Sequence, residues 1–244
     1  MTHVTRTTLM THDAPVIAIV GAESTGKSTL ATALAERIRQ DTGLRCGVVA
    51  EYLREWCDRE ARTPRADEQL AIAQEQQRRI VQARTSFDVV VADTTPLMVA
   101  VYSLLLFDDP SLVAMAVDAQ RSVAATLLTA LDLPWVADGH QRDGPHVREP
   151  VDRALRRVLA EHRLAWSVVG GQGPARVEQA FDAVSHLLAP LSMPGTGLFT
   201  RLAERDAAMP RWQWVCEKCD VPECEHAARA AAQLQSTDNQ PPST

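Results

Sequence analysis

The chain has 244 residues, of which 45% are hydrophobic, and it carries a formal net charge of −6. This length and apolar content suffice for one α/β domain with a sizeable core and a short appendage. The acidic balance excludes a general attraction to nucleic acid or to an anionic membrane. No apolar stretch is long enough to span a bilayer, and the polar start MTHVTRTTLMTHDAP lacks the apolar core of a signal peptide, so we expect a cytoplasmic protein.

The first predicted element is a strand at Val16–Val20, followed by the loop GAESTGKS at residues 21–28 and by a helix. A run of branched residues is typical of a buried strand, and apolar residues recur at helical spacing over residues 30–38. The loop fits the phosphate-loop pattern of glycine, four residues, glycine, lysine and serine or threonine. Strand, loop and helix occur in the order that this motif requires, which indicates an ATP site.

The residue types of this loop suit phosphate binding. Gly21 and Gly26 let the backbone bend so that several amide groups converge on phosphate oxygens at a helix N-terminus. Lys27 is then expected to reach the β- and γ-phosphates, and the Ser28 hydroxyl to ligate Mg²⁺. The residues expected to contact ATP are Gly21, Glu23, Ser24, Thr25, Gly26, Lys27, Ser28, Thr29 and Arg148.

The next predicted elements are a strand at residues 46–50, which the sequence EYLREW follows, and a long helix. Thr63 is the expected N-cap of that helix, Pro64 its first residue and Arg84 about its last. Its inward face is predicted to hold Leu70, Ala73, Ile80 and Val81. A third strand is predicted at residues 89–92, and Thr95-Pro96 and Asp109-Pro110 each predict the start of a further helix.

The segment AATLLTALDLPW fits either a strand or a helix end, and we interpret it as a strand because a parallel-sheet core needs one there. A helix containing Val151, Leu155, Val158 and Leu159 follows, then the strand WSVVG, then a helix over about residues 174–188. Repeated βα units predict a parallel sheet covered by helices on both faces. The expected fold is the α/β three-layer αβα sandwich of P-loop NTPases, with a small Cys-rich C-terminal appendage.

Two carboxylates follow predicted strands, where ligands bind in parallel sheets. Asp93 comes directly after VVVA and is either a support for Mg²⁺ or an ordinary helix-capping or turn aspartate. Glu51 is either a base that accepts a proton from a substrate hydroxyl or a solvated glutamate. Arg54 and Glu55 either hold substrate hydroxyls or pair with each other.

Two later loops are further candidates for the nucleotide site. Residues 138–148 form a polar loop with glycines, Arg142 and Arg148. Either this loop closes over ATP and brings guanidinium groups to the transferred phosphoryl group, or these are plain surface arginines. The sequence VVGGQGP at residues 168–174 is a tight turn that is expected near the adenine.

The chain from about Val16 to Leu188 resembles the ribosylnicotinamide kinase domain of the bacterial NadR family. The resemblance rests on GAESTGKSTL, EYLREW, ADTTPL, PWVADGHQRDG and the final strand, turn and helix. It implies transfer of the ATP γ-phosphoryl group to the 5′-hydroxyl of nicotinamide riboside, for NAD salvage. Lys27, Glu51, Asp93 and Arg142 are then the expected catalytic residues, with Glu51 as a base or ribose-binding group, Asp93 supporting Mg²⁺ and Arg142 in the lid.

Two features depart from the family pattern. The nucleotidyltransferase domain of NadR precedes the kinase domain, whereas the first predicted strand here begins at Val16, so we expect no adenylyl transfer. Family members can place an aromatic residue just before the glutamate, whereas this chain has Ala50. Either the aromatic face comes from Tyr52, Trp56 or Trp135, or those three residues are ordinary core aromatics.

The C-terminal segment is a candidate metal site. Cys216, Cys219, Cys224 and His226 are either four ligands of a structural zinc ion or reduced thiols and a histidine in a flexible tail. We expect a flexible N-terminus at residues 1–14, a kinase-like domain at 15–190, a connector at 191–210, the Cys/His-rich segment at 211–234 and a disordered tail at 235–244.

Two classes of function therefore remain open. The first is a Mg²⁺-dependent kinase that takes ATP and a nucleoside-like acceptor, with nicotinamide riboside as the leading candidate. The second is a non-kinase ATPase or nucleotide-gated interaction module that contacts a protein partner through its zinc-binding tail. Nucleic-acid binding by the tail is a weaker third idea, because acidic residues outnumber basic ones around its cysteines.

Overall fold

The core of the fold is a parallel β-sheet. The computed structural model describes residues 14–136 and 144–191, apart from the side chain at position 190, and these residues contain five strands. Their bounds are β1 Val16–Val20, β2 Cys46–Val49, β3 Val89–Asp93, β4 Ala125–Thr129 and β5 Ser167–Val169. The strand order is β2-β3-β1-β4-β5, and all pairings are parallel. The parallel sheet predicted from the sequence is confirmed.

Helices cover both faces of the sheet. Their bounds are α1 Lys27–Thr42, α2 Tyr52–Glu60, α3 Gln69–Arg84, α4 Pro96–Phe107, α5 Val113–Arg121, α6 Arg148–Glu161 and α7 Gly173–Leu188. Helix α1 packs against α7, where Arg37 donates to Glu178 and lies 5.0 Å from the ring centroid of Phe181. Helix α4 packs against α3, α5 and α6. The result is the expected three-layer αβα arrangement.

Burial is most complete in the central strands. All residues of β1 and β3 are buried, as a sheet covered on both faces requires. Val90 and Ala92 of β3 pack with Ile80 of α3. On α6, the four apolar residues that the periodicity placed inward are all buried, namely Val151, Leu155, Val158 and Leu159.

The start and the buried face of α3 differ from the prediction. The helix starts at Gln69 rather than Pro64, after a 3-10 turn at Ala66–Glu68 in which the Glu68 carboxylate accepts a hydrogen bond from the Arg65 amide, at 2.8 Å. Ala73 and Ile80 are buried as expected, but Leu70 and Val81 are 46% and 49% exposed. Gln69 and Gln76 occupy part of the buried stripe, so apolar identity alone was wrong for Leu70 and Val81.

The start of α5 also differs. The helix begins at Val113 rather than directly after Asp109-Pro110, because the Asp109 carboxylate accepts from the Ser111 amide, at 2.9 Å, and forms a turn of its own. By contrast, Thr95 is the N-cap of α4 and Pro96 its first residue, as expected.

The chain divides into two units, Met1–Leu198 and Phe199–Thr244, and every described residue belongs to the first. The predictions for residues 1–13, for the connector beyond 191, for the Cys/His-rich segment 211–234 and for the tail 235–244 lie outside the described residues. Within the described part of the chain, no helix is both long enough and apolar enough to cross a membrane.

The packing of α3 gives a direct test of its observed face. Ile72 is 1% exposed and its neighbour Leu70 is 46% exposed. We expect Ile72→Ala to lower the free energy of unfolding by about 2–5 kcal/mol because it removes buried methyl groups and leaves a cavity. The matched change Leu70→Ala is expected to cost less than about 1 kcal/mol. Denaturant titration followed by circular dichroism measures both, and equal losses would contradict the observed face.

Candidate functional site

The loop after β1 is shaped by two glycines. Gly21 has a φ of 149°, and a Cβ atom at this position would lie 2.0 Å from the Thr129 side-chain oxygen. Gly26 has a φ of 75°, in the left-handed region that favours glycine. The end of β4 therefore approaches the loop so closely that only glycine fits at position 21. Ser24 also has a positive φ, 55°, which is a strained conformation of the kind found at ligand-binding loops.

Hydrogen bonds from its own residues and from β4 fix this loop. The Thr25 hydroxyl donates to the Ala22 carbonyl at 2.8 Å and lies 2.6 Å from the Thr129 hydroxyl oxygen, and Thr129 in turn lies 3.3 Å from the Val20 carbonyl. Lys27 is 9% exposed, and its ammonium group donates across the loop to the Ala22 carbonyl, at 2.9 Å. The side chain of Lys27 thus lies within the curve of the loop, as in a phosphate-binding site.

A buried arginine joins the loop to the turn after β5. Arg176, at the start of α7, is 5% exposed and donates to the Thr25 carbonyl at 2.8 Å. It also donates to Asp132 and to the Gly171 carbonyl, each at 2.9 Å, and the Gly171 amide donates to Asp132 at 2.5 Å. The turn at residues 168–174, expected near the adenine, is thereby tied to the phosphate loop. Sequence reasoning missed Arg176 and Asp132.

The hydrogen bonds on Asp132 favour its charged form. Partial burial raises the pKa of this carboxyl group, but the bonds from Arg176 and Gly171 outweigh that effect, and the pKa lies below its ordinary value of 3.8. Because the pKa is lower in the folded protein, the stabilisation from this group is present above about pH 4 and is lost as the pH falls further.

The residues after β4 lie over the phosphate loop. The Ser24 hydroxyl accepts from the Val136 amide at 2.8 Å and lies 3.2 Å from its carbonyl oxygen. A Cβ atom on Gly26 would be 2.9 Å from a methyl group of Leu133. The segment 131–136 therefore connects β4, next to the phosphate loop, to the predicted lid at residues 138–148. Residues 137–143 lie outside the described part of the chain, and Arg142 of the lid is among them.

Arg148 contacts the segment 131–136 through a backbone carbonyl. It is 8% exposed at the start of α6 and donates from Nη1 to the Leu133 carbonyl, at 2.9 Å. Its buried Nε and Nη2 atoms have no hydrogen-bond partner among the described residues. Arg148 is therefore not a plain surface arginine, and its link to the phosphate loop runs through Leu133.

The two predicted carboxylates lie at neighbouring strand ends beside the loop. Because β3 is between β2 and β1, Asp93 lies between the phosphate loop and Glu51. Asp93 is 4% exposed, and its Oδ1 atom has no hydrogen-bond partner in the described part of the chain. Glu51 is the N-cap of α2, with a side chain 12% exposed, and its Oε2 atom lies 3.8 Å from Arg54 Nε. Glu55 receives two hydrogen bonds from Arg79.

A buried glutamine connects these two strand ends. Gln76 of α3 is 1% exposed, and its Oε1 atom accepts from the Tyr52 amide, at 2.7 Å. Its amide nitrogen lies 3.3 Å from the Ala50 carbonyl and 3.4 Å from the Thr94 carbonyl. Thr94 has a φ of 71°, so the chain turns sharply after Asp93. Gln76 fixes the spacing of the residues that carry Glu51 and Asp93, and only its place in a buried helical stripe could have indicated this role.

One cavity of about 450 Å³ opens between the phosphate loop and α2. Its walls include Glu23, Ser24 and Lys27 on one side and Glu51, Arg54 and Leu53 on the other. Its aromatic lining comes from Tyr102 and Phe107 of α4, which the sequence did not single out. A chamber of this size and mixed lining suits a small organic molecule beside a phosphate.

Two of the three aromatic residues proposed for stacking, Trp56 and Tyr52, have other partners. Trp56 is 8% exposed, belongs to the core, and has the Arg62 guanidinium 4.8 Å from its ring centroid. The Tyr52 ring has Arg79 above it, at 4.4 Å. Trp56 is thus an ordinary core aromatic residue, which is one of the two interpretations that the sequence left open.

The donor set fits Mg²⁺. Ser28 is exposed at the start of α1, and Asp93 presents a buried oxygen without a partner among the described residues. Hydroxyl and carboxylate oxygens are ligands that this hard cation prefers. Within residues 14–136 and 144–191, no group of three His, Cys, Asp or Glu side chains forms a metal cluster. The predicted zinc ligands Cys216, Cys219, Cys224 and His226 lie outside those residues.

Comparison with known proteins identifies the fold. A family profile described as AAA domain matches residues 16–176, whereas no relative among curated proteins matches the chain by sequence. Among solved structures, NadR protein in complex with NAD and AMP-PNP has a TM-score of 0.55 at 19% identity, covering 73% of this chain and 50% of that chain. NadR protein in complex with NR gives 0.56 at 21% identity, covering 72% and 51%.

A nucleotide kinase has a similar fold. Thymidylate kinase from Ehrlichia chaffeensis has a TM-score of 0.50 at 14% identity, covering 72% of this chain and 100% of that chain. At these identities the likeness is one of fold. The chain spans about half the length of the NadR proteins that it matches. The expected P-loop domain, with a fold similar to that of the NadR proteins, is confirmed.

The bond from Arg176 to the phosphate loop leads to a prediction about nucleotide affinity. We expect Arg176→Gln to weaken AMP-PNP binding by about tenfold, because a buried charge-assisted hydrogen bond no longer holds the Thr25 carbonyl. Isothermal titration calorimetry measures the affinity, and circular dichroism checks that the variant is folded. In the control Arg121→Gln, the lost partner is the exposed Asp118, and no change is expected. Equal affinities for the two variants would contradict the role of Arg176.

Proposed function

The chain belongs to the AAA domain family, and from its P-loop fold we propose that it is an ATP-dependent small-molecule kinase. The observation that carries this proposal is the cavity of about 450 Å³, which is lined both by Lys27 of the phosphate loop and by Glu51 at the end of β2. A kinase needs a chamber for its acceptor beside the γ-phosphate, whereas hydrolysis needs only water there.

The phosphate loop is the proposed site of the ATP phosphates. Its backbone amides lie at the N-terminus of α1, where the helix dipole favours negative charge. Lys27 adds a positive charge that neutralises the β- and γ-phosphates as the transition state forms. The bonds of Thr25 to Ala22 and Thr129 hold the loop in its curved form before ATP arrives, so little reorganisation is needed at the reaction step.

Ser28 and Asp93 would hold Mg²⁺. When bound, this ion neutralises charge on the phosphate oxygens and helps to position them. The burial of Asp93 next to the loop suits this role, since a carboxylate shielded from water interacts strongly with a cation.

Glu51 is the proposed general base. The acceptor hydroxyl oxygen attacks the γ-phosphorus, the bond from that phosphorus to the bridging oxygen breaks, and ADP leaves with the bond electrons. The proton of the hydroxyl passes to the Glu51 carboxylate and from there to solvent. Arg54, whose Nε lies 3.8 Å from Glu51, is near enough to orient this carboxylate or a substrate hydroxyl. Most of the rate enhancement then comes from position and charge neutralisation.

Nicotinamide riboside is the leading acceptor. The cavity has polar groups at the phosphate loop and an apolar and aromatic wall from Leu53, Tyr102 and Phe107, which suits a ribose joined to a flat aromatic ring. The fold is similar to that of a NadR protein in complex with NR. The alternative, a non-kinase ATPase that acts on a protein partner, rests on the tail at Cys216 to His226, outside the described residues.

Nucleoside-dependent turnover tests the proposed activity. We expect ADP release from ATP and Mg²⁺ to rise at least about tenfold when nicotinamide riboside is added, and Lys27→Ala to abolish the stimulation because the phosphates lose their main cation. A panel of other nucleosides shows whether this acceptor is preferred. ADP release that no nucleoside changes would contradict the kinase and favour an ATPase.

The role of Glu51 is separable from ATP binding. We expect Glu51→Gln to lower kcat by about 10²–10⁴-fold, the range of general-base catalysis, and to leave the Kd of AMP-PNP unchanged. Glu55→Gln is the matched control, because Glu55 follows one turn later in α2 with a side chain 53% exposed. If kcat falls equally in both variants, Glu51 has no specific chemical role.

A further inference from the structure

Gln69, the first residue of α3, is a buried polar side chain that the proposed chemistry does not use. It is 2% exposed, yet it lines the cavity that also contains Lys27 and Glu51. Its Oε1 atom is buried and has no hydrogen-bond partner in residues 14–136 and 144–191. A buried amide oxygen without a partner is uncommon in folded proteins and costs free energy that a ligand donor recovers on binding.

The second buried glutamine of α3 provides the contrast. Gln76 lies on the same buried stripe about two turns further along the helix. Its oxygen accepts from the Tyr52 amide, and its nitrogen lies near the Ala50 and Thr94 carbonyls. The packing of α3 can therefore satisfy a buried glutamine fully. Gln69 lines the cavity and its oxygen has no partner among the described residues, so we expect it to have a different role.

The direction of α3 locates Gln69 relative to the reacting groups. Arg84, at the last turn, donates to the Ala14 carbonyl just before β1, so the helix ends at the amino edge of the sheet. Gln76 lies at the carboxyl edge, beside the strand ends that carry Glu51 and Asp93. Gln69 is then roughly 10 Å further along the helix axis, beyond that edge. A nucleoside with its 5′-hydroxyl near Glu51 extends about this far.

We infer that Gln69 determines acceptor specificity by hydrogen bonding to the end of the acceptor that is remote from the phosphorylated hydroxyl. The inference rests on the proposed kinase function. The Gln69 oxygen needs a donor, and its NH₂ group offers donors of its own. A primary amide on the acceptor satisfies both ends, whereas a carboxylate only accepts and leaves the Gln69 oxygen unpaired. Gln69 thus favours a nucleoside whose aromatic ring carries a carboxamide, the class to which the already proposed acceptor belongs.

One neighbouring cation has to be weighed against this preference. Arg65 lines the same wall and would attract a carboxylate. Its side chain is 68% exposed, however, and it already pairs with Asp67 and Glu68. An exposed and paired guanidinium contributes little to binding in water. The buried oxygen of Gln69 is thus the stronger determinant.

Steady-state kinetics with two acceptors tests this inference. We compare nicotinamide riboside with its carboxylate analogue, nicotinic acid riboside, and measure kcat/KM for the wild type, Gln69→Leu, Gln69→Glu and the control Gln74→Leu. Gln74 is exposed on the same helix. The wild type and Gln74→Leu are expected to prefer the amide by about tenfold or more. Gln69→Leu removes the pairing and is expected to bring the ratio close to one.

The glutamate variant makes the test independent of damage to packing. Gln69→Glu keeps an acceptor for the amide NH₂ and repels a carboxylate, so the preference for the amide should exceed that of the wild type. A ratio that stays the same in Gln69→Leu and Gln69→Glu would overturn the inference while the kinase proposal stands. Wild-type protein that phosphorylates neither nucleoside would overturn this inference, whereas the kinase proposal falls only if no nucleoside of the wider panel stimulates ADP release.

Discussion

The close approach of β4 to Gly21 is the constraint on which the candidate site depends. A side chain at Gly21 would overlap the Thr129 oxygen, at 2.0 Å from the position of its Cβ atom. With glycine there, Thr129 reaches the Thr25 hydroxyl and closes the loop into its curved form. Arg176 holds the same loop from the other side through the Thr25 carbonyl. The loop is thus pre-formed by two neighbouring elements, and phosphate binding does not have to order it.

The strand order places the two carboxylates beside the phosphate loop. Because β3 lies next to β1 and β2 lies beyond it, a residue after each strand falls on one edge of the sheet in the sequence Glu51, Asp93, phosphate loop. Gln76 connects the first two strand ends, because its side-chain nitrogen lies near the Ala50 carbonyl after β2 and the Thr94 carbonyl after β3. The carboxylate that we propose for Mg²⁺ and the one that we propose as the base thereby acquire separate positions. This separation matches what phosphoryl transfer to a small molecule needs.

Local signals predicted most of the fold. Runs with branched residues indicated β1, β2, β3 and β5, and Thr95 with Pro96 marked the start of α4, because these features depend on short stretches of chain. The segment that forms β4 fitted a strand or a helix end, and it was assigned as a strand only because a parallel-sheet core needs one there. The buried face of α3 was predicted wrongly at Leu70 and Val81, since tertiary contacts placed Gln69 and Gln76 inside.

The site residues that were not predicted depend on contacts between residues far apart in the sequence. The phosphate loop and the strand-end carboxylates carry recognisable motifs, so they were predicted. Arg176, Asp132 and Tyr102 act through contacts between residues far apart in the chain, and a single sequence does not reveal such pairings. The Thr25 carbonyl and Arg176, for example, are bonded across 151 positions.

The destination of the γ-phosphoryl group distinguishes a kinase from an ATPase. ATP labelled in its γ-phosphate, Mg²⁺ and nicotinamide riboside are incubated with the protein, and the products are separated and identified by mass spectrometry. We expect the label to appear as a phosphate ester on the nucleoside, in amounts equal to the ADP formed. Label recovered only as inorganic phosphate, with the nucleoside unchanged, would contradict the proposed kinase activity.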